Sequence, residues 1–104
     1  MNTDLTITVD KSYTSGLRLV LQGRVTSASA NILQHKLEQV FGENHKIVIL
    51  DMRQVNYLSS GGIRVLLMFY KEAKKAGGSF QVQDPSENVI NVLGMTNLNE
   101  MLLK

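Results

Sequence analysis

Residues 47–67 read I-V-I-L-D-M-R-Q-V-N-Y-L-S-S-G-G-I-R-V-L-L, and the changes of pattern inside this stretch decide how the chain folds. Ile47, Val48, Ile49 and Leu50 form a continuous apolar run closed by Asp51, which suits a central strand covered on both faces better than a solvated edge. Met52 to Leu58 then lead to Ser59 and Ser60, which precede a helix whose apolar residues begin at Ile63. From Ile63 to Tyr70 only Arg64 is polar, so the helix is apolar nearly all round. Helical spacing puts Ile63, Leu66, Leu67, Tyr70 and Ala73 on one face, expected to be core, and Gly61, Val65, Met68 and Glu72 on the opposite side.

Upstream, Leu5, Ile7 and Val9 alternate with Thr6 and Thr8, and a turn over Ser12 to Gly16 leads to Leu17, Leu19 and Leu21. These predict a hairpin with one buried face, its second strand closed by Gly23. Thr26 or Ser27 is the expected cap of a helix carrying Ile32, Leu33, Leu37, Val40 and Phe41, ended by Gly42. Downstream, Gly77 and Gly78 are expected to stop the second helix in left-handed conformations. Phe80 and Val82 mark another strand. Asp84, Pro85, Ser86 and Glu87 read as a helix start with Asp84 as cap, Pro85 in the first position and an acid at the third. That helix should run through Ile90 and Leu93 to Gly94, and Leu98, Met101, Leu102 and Leu103 suggest a last amphipathic turn or two. The order predicts one α/β domain over residues 1–104, a small mixed sheet of four to five strands backed by about four helices.

Composition narrows the function. The chain has 104 residues, 43% hydrophobic and 19% charged, and a chain of this size buries about 60–65% of its unfolded surface without staples. The absence of cysteine excludes disulfides, a thiol nucleophile and thiolate metal sites. Eleven basic residues spread along the chain against nine acidic ones give +2, too mild to argue for nucleic acid. No stretch approaches the ~18 apolar residues of a membrane span, and the start lacks a signal peptide's pattern, so a cytoplasmic protein without direct membrane insertion is expected.

Catalytic constellations are missing. His35 and His45 have no acidic partner at ligand spacing, and there is no nucleophile elbow, Walker loop or dinucleotide fingerprint, so neither enzyme, metal nor cofactor is expected. Ser59, Ser60, Gly61 and Gly62 stand apart, because two hydroxyls meet a helix start whose free amides favour an anion, including a phosphate on one of these serines. The plainer alternative is that one serine caps the helix while the glycines allow a tight turn. If exposed, Val65 and Met68 beside Arg64 would form a protein-docking patch continuous with the serines; the alternative is that neighbouring structure covers them.

At these residues the chain resembles the STAS domain of bacterial anti-sigma factor antagonists, over nearly its whole length. The 47–67 stretch looks like the family's apolar strand, its Asp and the serine loop opening the second helix. Gly23, Gly77, Gly78 and the V-L-G-M-T-N-L segment from Val92 to Leu98 add further matches. The resemblance implies the STAS fold and a regulator of transcription that works by partner switching. Such a protein binds an anti-sigma factor, often a serine kinase of the histidine-kinase-like ATPase fold, and so frees a sigma factor. It is phosphorylated on a serine at the start of the second helix and restored by a metal-dependent serine phosphatase.

Together with the spacing argument for Arg64, Val65 and Met68, this gives Ser59, Ser60, Gly61, Gly62, Arg64, Val65, Met68 and Thr26 as the expected partner-binding residues. The commonest family pattern is Asp-Ser-Ser-Gly with its second serine as acceptor, which places Gly61 where that serine would stand. Arg24 and Thr26 replace the acidic residues usual after the strand glycine. Either the acceptor has moved to Ser60 or Ser59, with Ser60 favoured, or the protein is an unphosphorylated scaffold. A third possibility is an accessory module of a transport system, since STAS-like domains also occur beside transporters.

Overall fold

The computed structural model describes residues 4–96 and 98–102. Strands β1 (Leu5–Val9) and β2 (Leu17–Val25) form the antiparallel hairpin. Helix α1 (Ala30–Gly42) crosses to β3 (Ile47–Leu58), and α2 (Ser60–Lys75) crosses to β4 (Ser79–Gln83). Because each crossover is a helix, β2, β3 and β4 run parallel in a four-stranded sheet of order β1-β2-β3-β4. Helices α3 (Glu87–Met95) and α4 (Asn99–Leu102) follow. The mixed sheet and its helices match the expected class, with four strands rather than five; Leu103 lies outside the described residues.

One core holds the elements together. Val48, Leu50 and Met52 of β3 join Leu19, Leu21, Phe80 and Val82 from the neighbouring strands. Leu33 and Leu37 of α1, Phe69 of α2, and Val89 and Leu93 of α3 close over them. Ile49 is buried but lies outside this cluster, because alternate residues of a strand face opposite ways. On its side the cover is polar. Arg18 of β2 reaches Asp51 of β3 at 2.5 Å, Gln83 of β4 at 3.2 Å and Asp10 at 2.7 Å, so one side chain arches over the middle of the sheet. Hydrogen bonds from the Ser12 hydroxyl and amide, helped by Arg18, hold the Asp10 carboxyl below the usual aspartate range.

Several boundaries differ from expectation for local reasons. Asp51 does not end β3, since its pairing with Arg18 lets a carboxylate whose side chain is 10% exposed sit in mid-strand. Gly23 does not end β2 either. A Cβ there would stand 2.1 Å from the Asp4 carbonyl oxygen, so the glycine admits the β1 backbone while the strand runs on to Val25. Of the two glycines after α2 only Gly77 is left-handed, with φ 76°. Gly77 N–H donates to Lys74 and Gly78 N–H to Ala73, the double closure of a Schellman end.

At α3 the cap is Ser86 rather than Asp84, for its hydroxyl accepts from Val89 N–H and donates to the Val55 carbonyl of β3. The helix continues through Gly94 to Met95. Ile32 of α1 and Ile90 of α3, read as part of the helices' apolar pattern, are exposed.

Candidate functional site

The far halves of β2 and β3 build the site. Beyond Asp51, β3 has outrun β4, and it pairs with β2 alone as far as Val25 opposite Leu58. Register shifts in this pairing bury Met52, Val55 and Leu58 and turn the residues between them outward. Ser59 N–H donates to the Val25 carbonyl at 2.8 Å, which fixes where the chain leaves the sheet and turns into α2.

The two serines are not equivalent there. Ser59 has the extended backbone of an N-cap (φ −82°, ψ 168°), and its Oγ accepts from Gly62 N–H at 3.1 Å. Only 7% of Ser59 is exposed. Ser60 is the first residue of α2 and is exposed, with no hydrogen bond drawing on its hydroxyl among the described residues. The plainer reading of the loop holds at Ser59, which caps the helix, while the Ser60 hydroxyl is left without a partner among the described residues.

The glycines divide in the same way. A Cβ on Gly62 would meet Val25 Cγ1 at 2.6 Å and Leu58 Cδ1 at 2.8 Å, so this residue is buried where α2 sits tightly on the strand ends. Gly61 is half-buried, and a Cβ on it would make only ordinary contacts, with Ser27 Cα and Ser59 Oγ at 3.7 Å and Ala30 Cβ at 3.8 Å. The start of α2 thus lies against the turn that opens α1. In that turn Ser29 N–H donates to the Thr26 hydroxyl and Thr26 N–H donates to the Ser29 hydroxyl, a reciprocal cap with serine in the place usually held by Glu.

Helix α2 is rotated from its expected setting. The buried stripe is Gly62, Val65, Leu66, Phe69 and Ala73: Leu66 and Ala73 lie in it as expected, whereas Ile63, Leu67 and Tyr70 are half-buried at its edge and Gly62, Val65 and Phe69 take their place. Val65, expected beside Met68 on an exposed patch, is 4% exposed and belongs to the core. Gly62, named for partner binding, is likewise inside. Half-buried Thr26 already uses its hydroxyl in the cap.

Ser60, Gly61, Arg64 and Met68 do reach one surface. Arg64 follows Ser60 by one turn, and a shallow groove of about 370 Å³ continues along Leu67, Met68, Lys71, Glu72 and Lys75. Beside the loop the Arg24 guanidinium lies 5.3 Å from the centre of the Tyr57 ring, which is 45% exposed. Tyr57 and the role of Leu67 and Lys71 were not singled out from sequence. For Tyr57 the signal was there, since a large aromatic stands two residues before the serine loop.

Among the described residues no three His, Asp or Glu side chains converge on a point. His35 is exposed on α1, and His45 precedes β3 at the end opposite Ser59. No described helix is long and apolar enough to cross a membrane.

Comparison with known proteins agrees with this architecture. Residues 8–104 match the family model of the STAS domain. Over 99 residues the chain is 27% identical to the anti-sigma-B factor antagonist of Bacillus subtilis, covering 94% of this chain and 90% of that protein. An anti-sigma factor antagonist from Mycobacterium paratuberculosis superposes with a TM-score of 0.82 at 19% identity, over 94% of this chain and 82% of that one. The anti-sigma factor antagonist SpoIIAA in its unphosphorylated form gives 0.79 at 14% identity, over 94% and 86%.

Proposed function

This chain belongs to the STAS domain family, and from that membership we propose that it is an anti-sigma factor antagonist, switched by phosphorylation of Ser60. It is a regulatory protein that acts by binding and has no catalysis of its own. In the cytoplasm it binds an anti-sigma factor that is also a serine kinase of the histidine-kinase-like ATPase fold, and a metal-dependent phosphatase resets it.

The observation that carries the choice of residue is the division of labour in the loop. Ser59 spends its oxygen on Gly62 N–H and is buried, whereas Ser60 presents a free hydroxyl at the mouth of α2. A kinase needs an accessible hydroxyl on a surface it already grips, and Ser60 stands one turn from the exposed Arg64 and next to Gly61. A phosphate there adds about −1.5 to −2 charges to the docking face, enough to release a partner by repulsion and desolvation.

Intact and peptide mass spectrometry of the protein from its native cells, with and without phosphatase inhibitors, tests this reading. Phosphate on Ser60 is expected. Phosphate confined to Ser59, or none in any growth condition, would overturn the assignment and leave a constitutive binding module.

A further inference from the structure

The proposed docking face has a charge sign, and it points to the chemistry of whatever sits on it. Of the four arginines in the chain, Arg18 and Arg53 are spent on carboxylates of the same molecule, Asp10, Asp51 and Asp84. Arg24 and Arg64 are the other two. Among the described residues neither has a carboxylate within 4.0 Å, and both are exposed and flank the serine loop.

Their surroundings differ from an ordinary solvated surface. Arg24 is stacked on the exposed Tyr57 ring, an arrangement of the two residue types most enriched at binding hot spots. Arg64 opens the groove on α2, in which Leu67 and the 39% exposed Met68 separate it from Lys71 and Lys75. Neither α1 nor α2 has an acidic residue in its first turn to temper their positive ends. The carboxylate lining the groove is Glu72, 4.0 Å from Lys75 at the end away from the loop, and on the α1 side of Met68 Glu38 joins it, so the positive end of the groove is the one at Arg64.

Resting on the reading of this face as a docking surface, we propose that its occupant is an acidic amphipathic segment of a partner protein. Apolar side chains of that segment would lie on Leu67 and Met68, and its carboxylates would pair with Arg64 and Lys71. A bidentate carboxylate suits the planar fork of an arginine. Phosphate on Ser60 would then act twice, by repelling those carboxylates and by competing for Arg64 one turn away.

The test is a titration of the isotope-labelled protein, followed by its backbone amide resonances. The probes are an 18-residue amphipathic peptide of Leu and Glu, the same peptide with Lys for Glu, and vesicles containing anionic lipid. The acidic peptide is expected to shift amides of residues 60–75, with at least tenfold weaker binding to Arg64→Glu and a loss of affinity as salt rises. Arg64→Gln, which keeps the residue polar and exposed, should show a smaller loss in the same direction.

Equal or tighter binding of the Lys peptide would overturn the inference, as would shifts mapping to another face or no shift at millimolar peptide. Uptake by vesicles without peptide binding would overturn it in favour of a membrane surface. The phosphorylation reading is decided separately by the mass of the Ser60 peptide, so either idea can fail while the other stands.

Discussion

Two arginine environments at the two ends of β2 show what the fold keeps for itself and what it offers outward. Arg18, near the start of the strand, has 15% of its side chain exposed and is held by two carboxylates and an amide across three elements. Arg24, near the end of the same strand, meets only an aromatic ring and solvent, and Arg64 across the loop resembles it. The first guanidinium closes the polar face of the sheet over Ile49 and contributes to stability. The second pair contributes little to the fold, since an exposed charge without a partner gains almost nothing from folding.

Replacing each in turn is the most forceful way to break that comparison. Arg18→Met would leave Asp51, with 10% of its side chain exposed, without its counter-charge and should cost about 3 kcal/mol, the lower end for an abandoned buried partner because some solvent reaches it. Arg64→Met should stay within about 0.5 kcal/mol. Urea denaturation of both variants measures the difference. A loss at Arg18 no larger than at Arg64 would show that the arch over the sheet is ornamental.

The same contrast recurs one step down in size between two adjacent glycines. Gly62→Ala drives a methyl into Val25 and Leu58 at 2.6 and 2.8 Å and should cost about 2 kcal/mol by overpacking. A Cβ on Gly61 meets nothing nearer than 3.7 Å, so Gly61→Ser should be neutral or slightly stabilising as a helical glycine is replaced. Thermal melts of the two variants compare them. Because a Cβ at position 61 fits without strain, the backbone leaves room for a side chain there, and Gly61→Ser is expected to offer a second hydroxyl whose phosphorylation the mass of the loop peptide would report.

The legibility of the sequence follows the range of the interaction that decides each feature. The opening hairpin and the helix start at the serines are local patterns and were readable, and of the apolar run Ile47 to Leu50 all but the exposed Ile47 are buried. The setting of α2 was not, because a helix apolar from Ile63 to Tyr70 lets periodicity choose any face; Gly62, pressed against Val25 and Leu58, is what selects it. Asp51 looked like a strand end because its partner Arg18 lies 33 residues away. The stretch from Met52 to Leu58 hid its strand because the register shifts bury every third residue there and erase the two-residue alternation. At the site, spacing placed Arg64 and Met68 on the surface correctly, while Val65 followed the rotated helix into the core.

The smallest expected effect bears most directly on function. Ser59→Ala removes the oxygen that accepts from Gly62 N–H and should cost about 1 kcal/mol, the usual loss for an N-cap. Ser60→Ala removes a hydroxyl that supports no hydrogen bond in the described structure and sits at a first helical position, so its cost should be within about 0.5 kcal/mol. Paired denaturation curves separate the two, and the order matters more than the values. If Ser60→Ala proved the more damaging, its hydroxyl would be a structural group, and modifying it would unfold the mouth of α2 instead of changing its charge. If the order holds, Ser60 is a position the fold can spare, as a switch that leaves the fold intact in both of its states requires.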